Sequence, residues 1–311
     1  MIIKRNFNLI KIFQYIAPDV SIALVSASTV YLLFATGTHI ITLPFAVSAI
    51  LGSALAIFIA FRNNTSYSRW WEARTLWSGI LSSSRIFSRQ IIANADNAVY
   101  SGKATKEKAD AYKREMIYRQ IAFAHSLRLY LRNQAIEPAL FSLLNDEDKA
   151  NLAGKSNKPN FLLQRQGIRI KEGIREEILG TFDNISLEPV LSAFNNFQSS
   201  AERIKGTPLL RQYDYYTRLF LRIFIILLPF SLIGEFSKLG ITPVAVPVSL
   251  IISFVFATLG KVGEVNEDPF ENKITDVPMT YICNTIERDL KEMLEEKELP
   301  EKVLPEKGFI Y

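Results

Sequence analysis

No lysine, arginine, aspartate or glutamate occurs between Val20 and Phe61, and this gap constrains the fold more than any other feature of the 311-residue chain. A helix crosses the hydrocarbon core of a bilayer in roughly 20 residues, because every backbone amide must be satisfied within the segment. The gap therefore holds two spans, and the polar stretch Thr36-Gly37-Thr38-His39, just before Pro44, supplies the turn between them. A second charge-free run extends from Leu239 to Gly260. Leu219 to Gly234 is apolar except for Arg222, whose head can snorkel to the interface. Four spans follow, over 19–36, 42–62, 218–234 and 241–260. Helices buried in a soluble core are the alternative, and the length of 20–61 argues against it.

Orientation follows from the basic residues near the span ends. Lys4, Arg5 and Lys11 precede the first span; Arg62, Arg69, Arg74, Arg85 and Arg89 follow the second; Arg211 and Arg218 precede the third. The turn at 36–42 has no charge and that at 234–240 only Glu235 and Lys238. Both termini and the long 63–217 segment are therefore expected in the cytoplasm, in a multi-pass membrane protein. The first apolar stretch is too long for a cleaved signal peptide and runs straight into a second span. The sequons at Asn64 and Asn184 then face the wrong side for glycosylation. With 49% hydrophobic and 22% charged residues, the composition suits a chain divided between lipid and water. A lone cysteine, Cys283, makes neither an internal disulfide nor a cysteine-cluster metal site. The net charge of +5 is modest, and no basic block is dense enough for nucleic acid.

The 63–217 segment reads as helical. Ile117, Ile121, Ala124, Leu127 and Leu131 recur at helical spacing, with Arg114, Arg119, Arg128 and Arg132 elsewhere on the wheel. The stretch 68–98 is also helix-compatible, and helical character is expected again over 171–204. The polar run 145–160 reads as a surface loop. After the fourth span, 277–298 is predicted to form an amphipathic helix striped by Ile282, Ile286, Leu290 and Leu294, followed by an extended tail over 299–311. The expected parts are thus 1–62, with the first two spans, 63–217, 218–260, with the last two, and 261–311.

Catalytic signatures fail. Gly154-Lys155-Ser156 resembles the end of a phosphate-binding loop, but Lys149 stands where the first glycine is required and no strand precedes it. His39 and His125 fall on opposite sides of the membrane in this topology. His125 reads as a packed or solvated histidine, His39 as a solvated turn residue. No nucleophile elbow, zincin or dinucleotide motif is present, so no enzyme, cofactor or metal is expected. A coupled transporter usually holds ionisable groups at mid-bilayer on broken, repeated helices. The middles of these four spans are uncharged, and a pore would have to be shared among subunits. That leaves an oligomeric channel or a membrane-anchored helical scaffold without a pore.

The most informative stretch runs from Phe61 through Arg62-Asn63-Asn64 to Arg69-Trp70-Trp71-Glu72-Ala73-Arg74. Read from the residues alone, an apolar helix ends at Phe61, a polar turn follows, and Arg69, Trp70 and Trp71 anchor at the interface beside a charge network with Glu72 and Arg74. In its order of residues the stretch resembles the bestrophin family, specifically its bacterial members. Three further segments agree: Glu202-Arg203-Ile204-Lys205-Gly206-Thr207-Pro208, Leu227-Leu228-Pro229-Phe230 and Glu267-Asp268-Pro269-Phe270. The likeness covers roughly residues 1–300.

The resemblance implies an all-α, multi-span membrane protein whose four transmembrane helices continue into a helical cytoplasmic region and assemble, as a homopentamer in the lipid bilayer, around a central pore for monovalent ions. It places a hydrophobic neck on the second span at Ser53, Ile57 and Phe61, a row that lies on one helix face and whose apolar rings can gate by dewetting. Packing of Ile57 and Phe61 against lipid or a neighbouring helix is the competing reading. A cytoplasmic aperture is implied at Ile185, with Val190 or Leu191 as alternatives and helix packing as the rival role. Two departures matter. Animal members bind calcium with an acidic run after the fourth span, whereas here Lys273 and Ile274 interrupt Glu271 to Asp276; no calcium clasp is expected, and the acids read as a solvated hinge. Animal members also present more phenylalanine at the neck, whose ring edges suit anions. With only Phe61 here, the reading leans to sodium, with chloride as the alternative.

Overall fold

The structure is a computed structural model that describes residues 1–4 and 9–311, with side chains described at 1–4 and from Phe13 onward. Among the described residues it is helical throughout, apart from two isolated β-bridges, Ile2 with Phe309 and Glu306 with Phe309. The helices are α1 (Leu9–Ala35), α2 (Phe45–Tyr100), α3 (Lys106–Leu131), α4 (Pro138–Phe141), α5 (Asp146–Leu152), α6 (Lys158–Arg175), α7 (Asp183–Gly206), α8 (Arg211–Lys238), α9 (Ala245–Val265) and α10 (Met279–Met293). Arg5, expected to flank the first span, lies outside the described residues, as does the side chain of Lys11.

Two compact units emerge. One comprises 4–70 and 208–268; the other comprises 1–3, 71–207 and 269–311. In the first, four stretches are long and apolar enough to cross a bilayer, lying within Phe13–Ala35, His39–Tyr100, Arg211–Lys238 and Thr242–Val265. Each contains one of the spans read from sequence or matches it to within one residue at an end. Their shared core is Ile16, Ala23 and Val30 of α1, Leu55 and Ile59 of α2, Leu221, Phe224, Leu228 and Leu232 of α8, and Ala257 of α9. A buried hydrogen bond of 2.6 Å from Ser48 Oγ to Ser231 Oγ ties α2 to α8.

The helix expected to end at Phe61 does not end there. α2 runs unbroken for 56 residues, far longer than the roughly 20 that a bilayer needs. The amides and hydroxyls at 63–68 resemble a turn, but no glycine or proline falls between Ser53 and Ser78, and Thr65 Oγ1 donates to the Phe61 carbonyl 2.9 Å away instead of breaking the helix. A buried stripe follows the helix in steps of three, four and seven, through Ser48, Leu55, Ile59, Arg62 and Ser66, and then Ala73, Trp77, Ile80, Phe87, Ile91 and Ala95.

In the second unit, α3 is buried almost all round. Phe194 of α7 packs edge-on to Phe87 and against Phe123, and a buried polar chain links Gln166 to Gln120 and Gln120 to Ser84 at 2.9 and 2.8 Å. The loop expected over 145–160 is confined to 153–157, and α5 and the start of α6 take the rest. Asn145 Oδ1 caps α5 by accepting from Asp148 N, and Asp146, Glu147 and Asp148 fill its first turn, where carboxylates favour the positive helix end. Asn157 caps α6, with Pro159 in the first turn. Most of the run that looked like loop was two helix starts. Arg119, read as lying away from the apolar stripe, is fully buried between Asp148 and Glu115, both at 2.6 Å. The predicted C-terminal helix forms as α10, shorter at both ends, with Ile282, Ile286 and Leu290 buried and Leu294 at its cap. The tail is held along it by Asn284, which donates to Glu301 O and accepts from Val303 N.

Candidate ion pathway

The buried stripe of α2 leaves an opposite face open. Ser53, Ile57 and Phe61 lie there, Ile57 57% and Phe61 67% exposed, and Asn64 continues the row. Ser53 Oγ donates to the Ala49 carbonyl at 2.8 Å, so its hydroxyl is already engaged by the helix. The row is uncharged, and Ile57 and Phe61 wall a ≈550 Å³ hollow closed by Leu210 and Tyr213.

Directly behind Phe61 the side chains turn inward. Arg62 is 2% exposed; its Nη2 donates to Asp214 Oδ1 at 2.5 Å and to Glu267 Oε2 at 3.4 Å, while Nη1 reaches the Gly260 carbonyl. Asp214 also binds Arg218, and Glu267 lies 3.8 Å from Arg211. Asn63 Nδ2 donates to Leu259 O at 2.9 Å. Gly263 faces this pair, and a Cβ there would collide with the Asn63 side chain. The residues following this row are therefore bolted to α8 and α9, whereas Ser53, Ile57 and Phe61 are exposed. Asp214 was not singled out in the sequence. Its only signal there is an acid placed just before an apolar run.

The other quoted segments fall into place as pairing partners. Asp268 lies 4.0 Å from Arg69. Trp71 is exposed and Trp70 half-buried. In the second unit, Glu72 binds Arg203 at 2.5 Å and Lys205 binds Glu271 at 2.5 Å; Arg74 donates to Ser78 Oγ. The charge network expected within 69–74 is thus built with partners distant in sequence. Glu202 accepts from Asn157 and Gln198.

Ile185 stands in the first turn of α7, 69% exposed, whereas Val190 is half-buried and Leu191 buried. The segment after Phe270 is only in part the solvated hinge expected, with Glu271, Asn272 and Lys273 exposed. Asp276 is buried and accepts from Lys273 N at 3.1 Å, and burial pushes its carboxyl above the usual value. Among the described residues no group of three or more histidines, cysteines or acids is placed to hold a metal ion. His125 is bonded to Glu287 at 3.1 Å. Burial alone would raise Glu287, but hydrogen bonds from His125 and Lys291 outweigh it and hold its carboxyl at about 2. His39 is exposed, its ring edge-on to Phe34 at 4.5 Å.

Comparison with known proteins gives one answer. The model of the family described as Bacterial/Fungal Bestrophin protein matches residues 7–292. The chain is 34% identical over 273 residues to the voltage-dependent anion channel-forming protein YneE of Escherichia coli K12, covering 88% of this chain and 84% of that one. It is 29% identical over 264 residues to the voltage-dependent anion channel-forming protein mll4386 of Mesorhizobium japonicum, covering 84% and 78%. A crystal structure of a bacterial bestrophin homologue from Klebsiella pneumoniae superposes with a TM-score of 0.79 at 27% identity, over 92% of this chain and 100% of that one. With the family match spanning nearly the whole chain and four apolar helices among those superposed, this membrane protein belongs to the bacterial/fungal bestrophin family, a family of ion channels and not of enzymes.

Proposed function

We propose that five copies of the chain assemble in the bacterial inner membrane, both termini cytoplasmic, into a channel that passes monovalent ions down their gradient. Segments 1–62 and 218–260 carry the spans; 63–217 and 261–311 face the cytoplasm. Each second span lines a neck with Ser53, Ile57 and Phe61, and Ile185 forms a second constriction. The observation that carries this reading is the row itself: three residues four apart, exposed on the face of α2 opposite its buried stripe. Apolar rings of this kind block ions by dewetting until they widen or wet. Ile185 is favoured over Val190 and Leu191 because it alone of the three is exposed. The charge-free row leaves the sign of the ion to the rest of the pathway. The names of the relatives as anion channel-forming proteins support an anion such as chloride. Sodium is the second reading, favoured by a neck with a single phenylalanine.

The test is ion flux from liposomes holding the purified oligomer, with sodium chloride gradients of both signs. A reversal potential at the chloride equilibrium value supports the anion channel; one at the sodium value replaces it with the second reading. Ile57→Ala with Phe61→Ala raises conductance by lowering the dewetting barrier, and unchanged flux in a folded double variant removes the neck assignment. No flux from either protein returns the chain to a non-conducting scaffold.

A further inference from the structure

Three arginines line up on the first half of α8. Arg211, Arg218 and Arg222 fall with Tyr215 on one line, because spacings of four, three and four residues keep them within about 60° on the helix. All three arginine side chains are more than half exposed, and Tyr215 is exposed beside them. The acids that face them lie to one side. Asp214 is buried behind Arg218 and shared with Arg62; Glu267 is 3.8 Å from Arg211, and Asp19 of α1 is 3.9 Å from Arg222. The last two separations are too long for hydrogen bonds, so guanidinium donors are left for another acceptor.

The same line continues upward in steps of four to Ile226 and Phe230, which form one wall of a ≈470 Å³ groove. The other wall is α1, at Ile22, Val25 and Val30. Two hydroxyls in it are turned away: Ser26 Oγ donates to the Ile226 carbonyl at 2.9 Å and Thr29 Oγ1 to the Val25 carbonyl at 2.8 Å. Ser21 also lines the groove, whose surface is otherwise mostly hydrocarbon. From the Arg222–Asp19 pair it runs C-terminally along both helices, into their apolar lengths.

We propose that this groove binds one anionic phospholipid, its acyl chain against Val25, Ile226 and Phe230 and its phosphate on Arg218 and Arg222, with Arg211 and Tyr215 flanking the headgroup. Guanidinium matches phosphate through paired, charge-assisted hydrogen bonds, and basic residues at a span end draw anionic lipid. An apolar groove alone would accept any chain; the arginines at its end select the headgroup. The site is independent of which ion the channel passes.

The full-length oligomer, reconstituted with phosphatidylcholine and graded phosphatidylglycerol, is released and its retained lipids are counted by native mass spectrometry. Phosphatidylglycerol is retained over phosphatidylcholine. Arg218→Gln with Arg222→Gln cuts that retention about fivefold or more, and so does Ile226→Trp, which fills the groove and leaves every arginine in place. Arg222→Gln alone, made where the double variant is not monodisperse, lowers it in the same direction. Soluble glycerol phosphate does not displace the lipid. Equal retention of the two lipids, unchanged retention in the folded arginine variants, displacement by glycerol phosphate (a headgroup-only anion site), or cross-linking of Val25→Cys between copies (a second copy seated in the groove) each overturns the proposal. Lipids are counted rather than ions, so failure here is separate from failure of the channel reading.

Discussion

Arg62 shows how a single side chain can anchor a helix just beside a row of exposed residues without joining that row. It follows Phe61 directly, yet it points to the other face of α2, where Asp214, Glu267 and the Gly260 carbonyl surround it. Removing one partner of a buried ion pair leaves the other charge desolvated, at a cost of about 3–5 kcal/mol. Arg62→Met is therefore expected to destabilise the purified protein by that order, since it strands two carboxylates. Asp214→Asn and Glu267→Gln, which each leave Arg62 one carboxylate, are expected to cost less. Inactivation rates of the detergent-solubilised oligomer at fixed temperature check the ranking, and an Arg62→Met protein as durable as the parent would refute it. Arg62 was legible as part of a motif; its role was not, because sequence order shows which residues recur but not which distant acid a charge will meet. Asp148 makes the same point from the other side. Set in an acidic run, it looked solvated, and it proved to be the buried partner of Arg119 and Arg165.

At the scale of elements, charge gaps and apolar periodicity revealed the spans, α3 and α10, because burial of one face leaves a period in the sequence. What they missed were helix starts written in polar residues, at Asn145 and Asn157, and the passage of α2 through a polar stretch. Both are cases where hydroxyl and amide side chains bond to helix backbone rather than interrupt it. The seat of α10 on α3 carries a pH prediction. Glu287 of α10 takes hydrogen bonds from His125 of α3, at 3.1 Å, and from Lys291, at 2.8 Å. Nearby, Tyr118 of α3 donates to Glu296 and packs against Arg114 and Lys291. The folded carboxyl titrates at about 2 against an ordinary 4.5. A depressed acid contributes its full stability above the unfolded value and loses it as pH falls toward the folded one. The clamp is thus intact at pH 5 and above and weakens between about 4.5 and 2, by about 3 kcal/mol in all. Hydrogen exchange of α10 amides, taken relative to the intrinsic rate at each pH, is expected to quicken in that window. Glu287→Gln is expected to quicken it at neutral pH and flatten the acid response; an unchanged profile in that variant would assign the acid sensitivity elsewhere.

For the whole molecule, the open question is what covers the exposed row of α2, and the chain's single cysteine makes a clean answer available. Cys283 is fully buried, its Sγ bonded to the Ala124 carbonyl, and burial pushes its thiol up to about 12. The thiolate is the reactive form, so the native protein should be silent to oxidants and to maleimides at neutral pH. Any reaction in an engineered variant then reports the new position alone. If Ser53, Ile57 and Phe61 ring an axis, the five copies of Phe61→Cys stand near one another and oxidation joins chains in pairs; a disulfide forms only where Cα atoms approach within about 7 Å, so a short bifunctional maleimide extends the reach if the neck is wider. If the row faces lipid, Phe61→Cys stays monomeric under both reagents, as Val255→Cys on the exposed side of α9 is expected to do. A dimer band beside the monomer with Phe61→Cys, and monomer alone with Val255→Cys, is the expected result. A dimer from Val255→Cys in place of Phe61→Cys would move the axis of assembly to another face of the chain and take the neck with it.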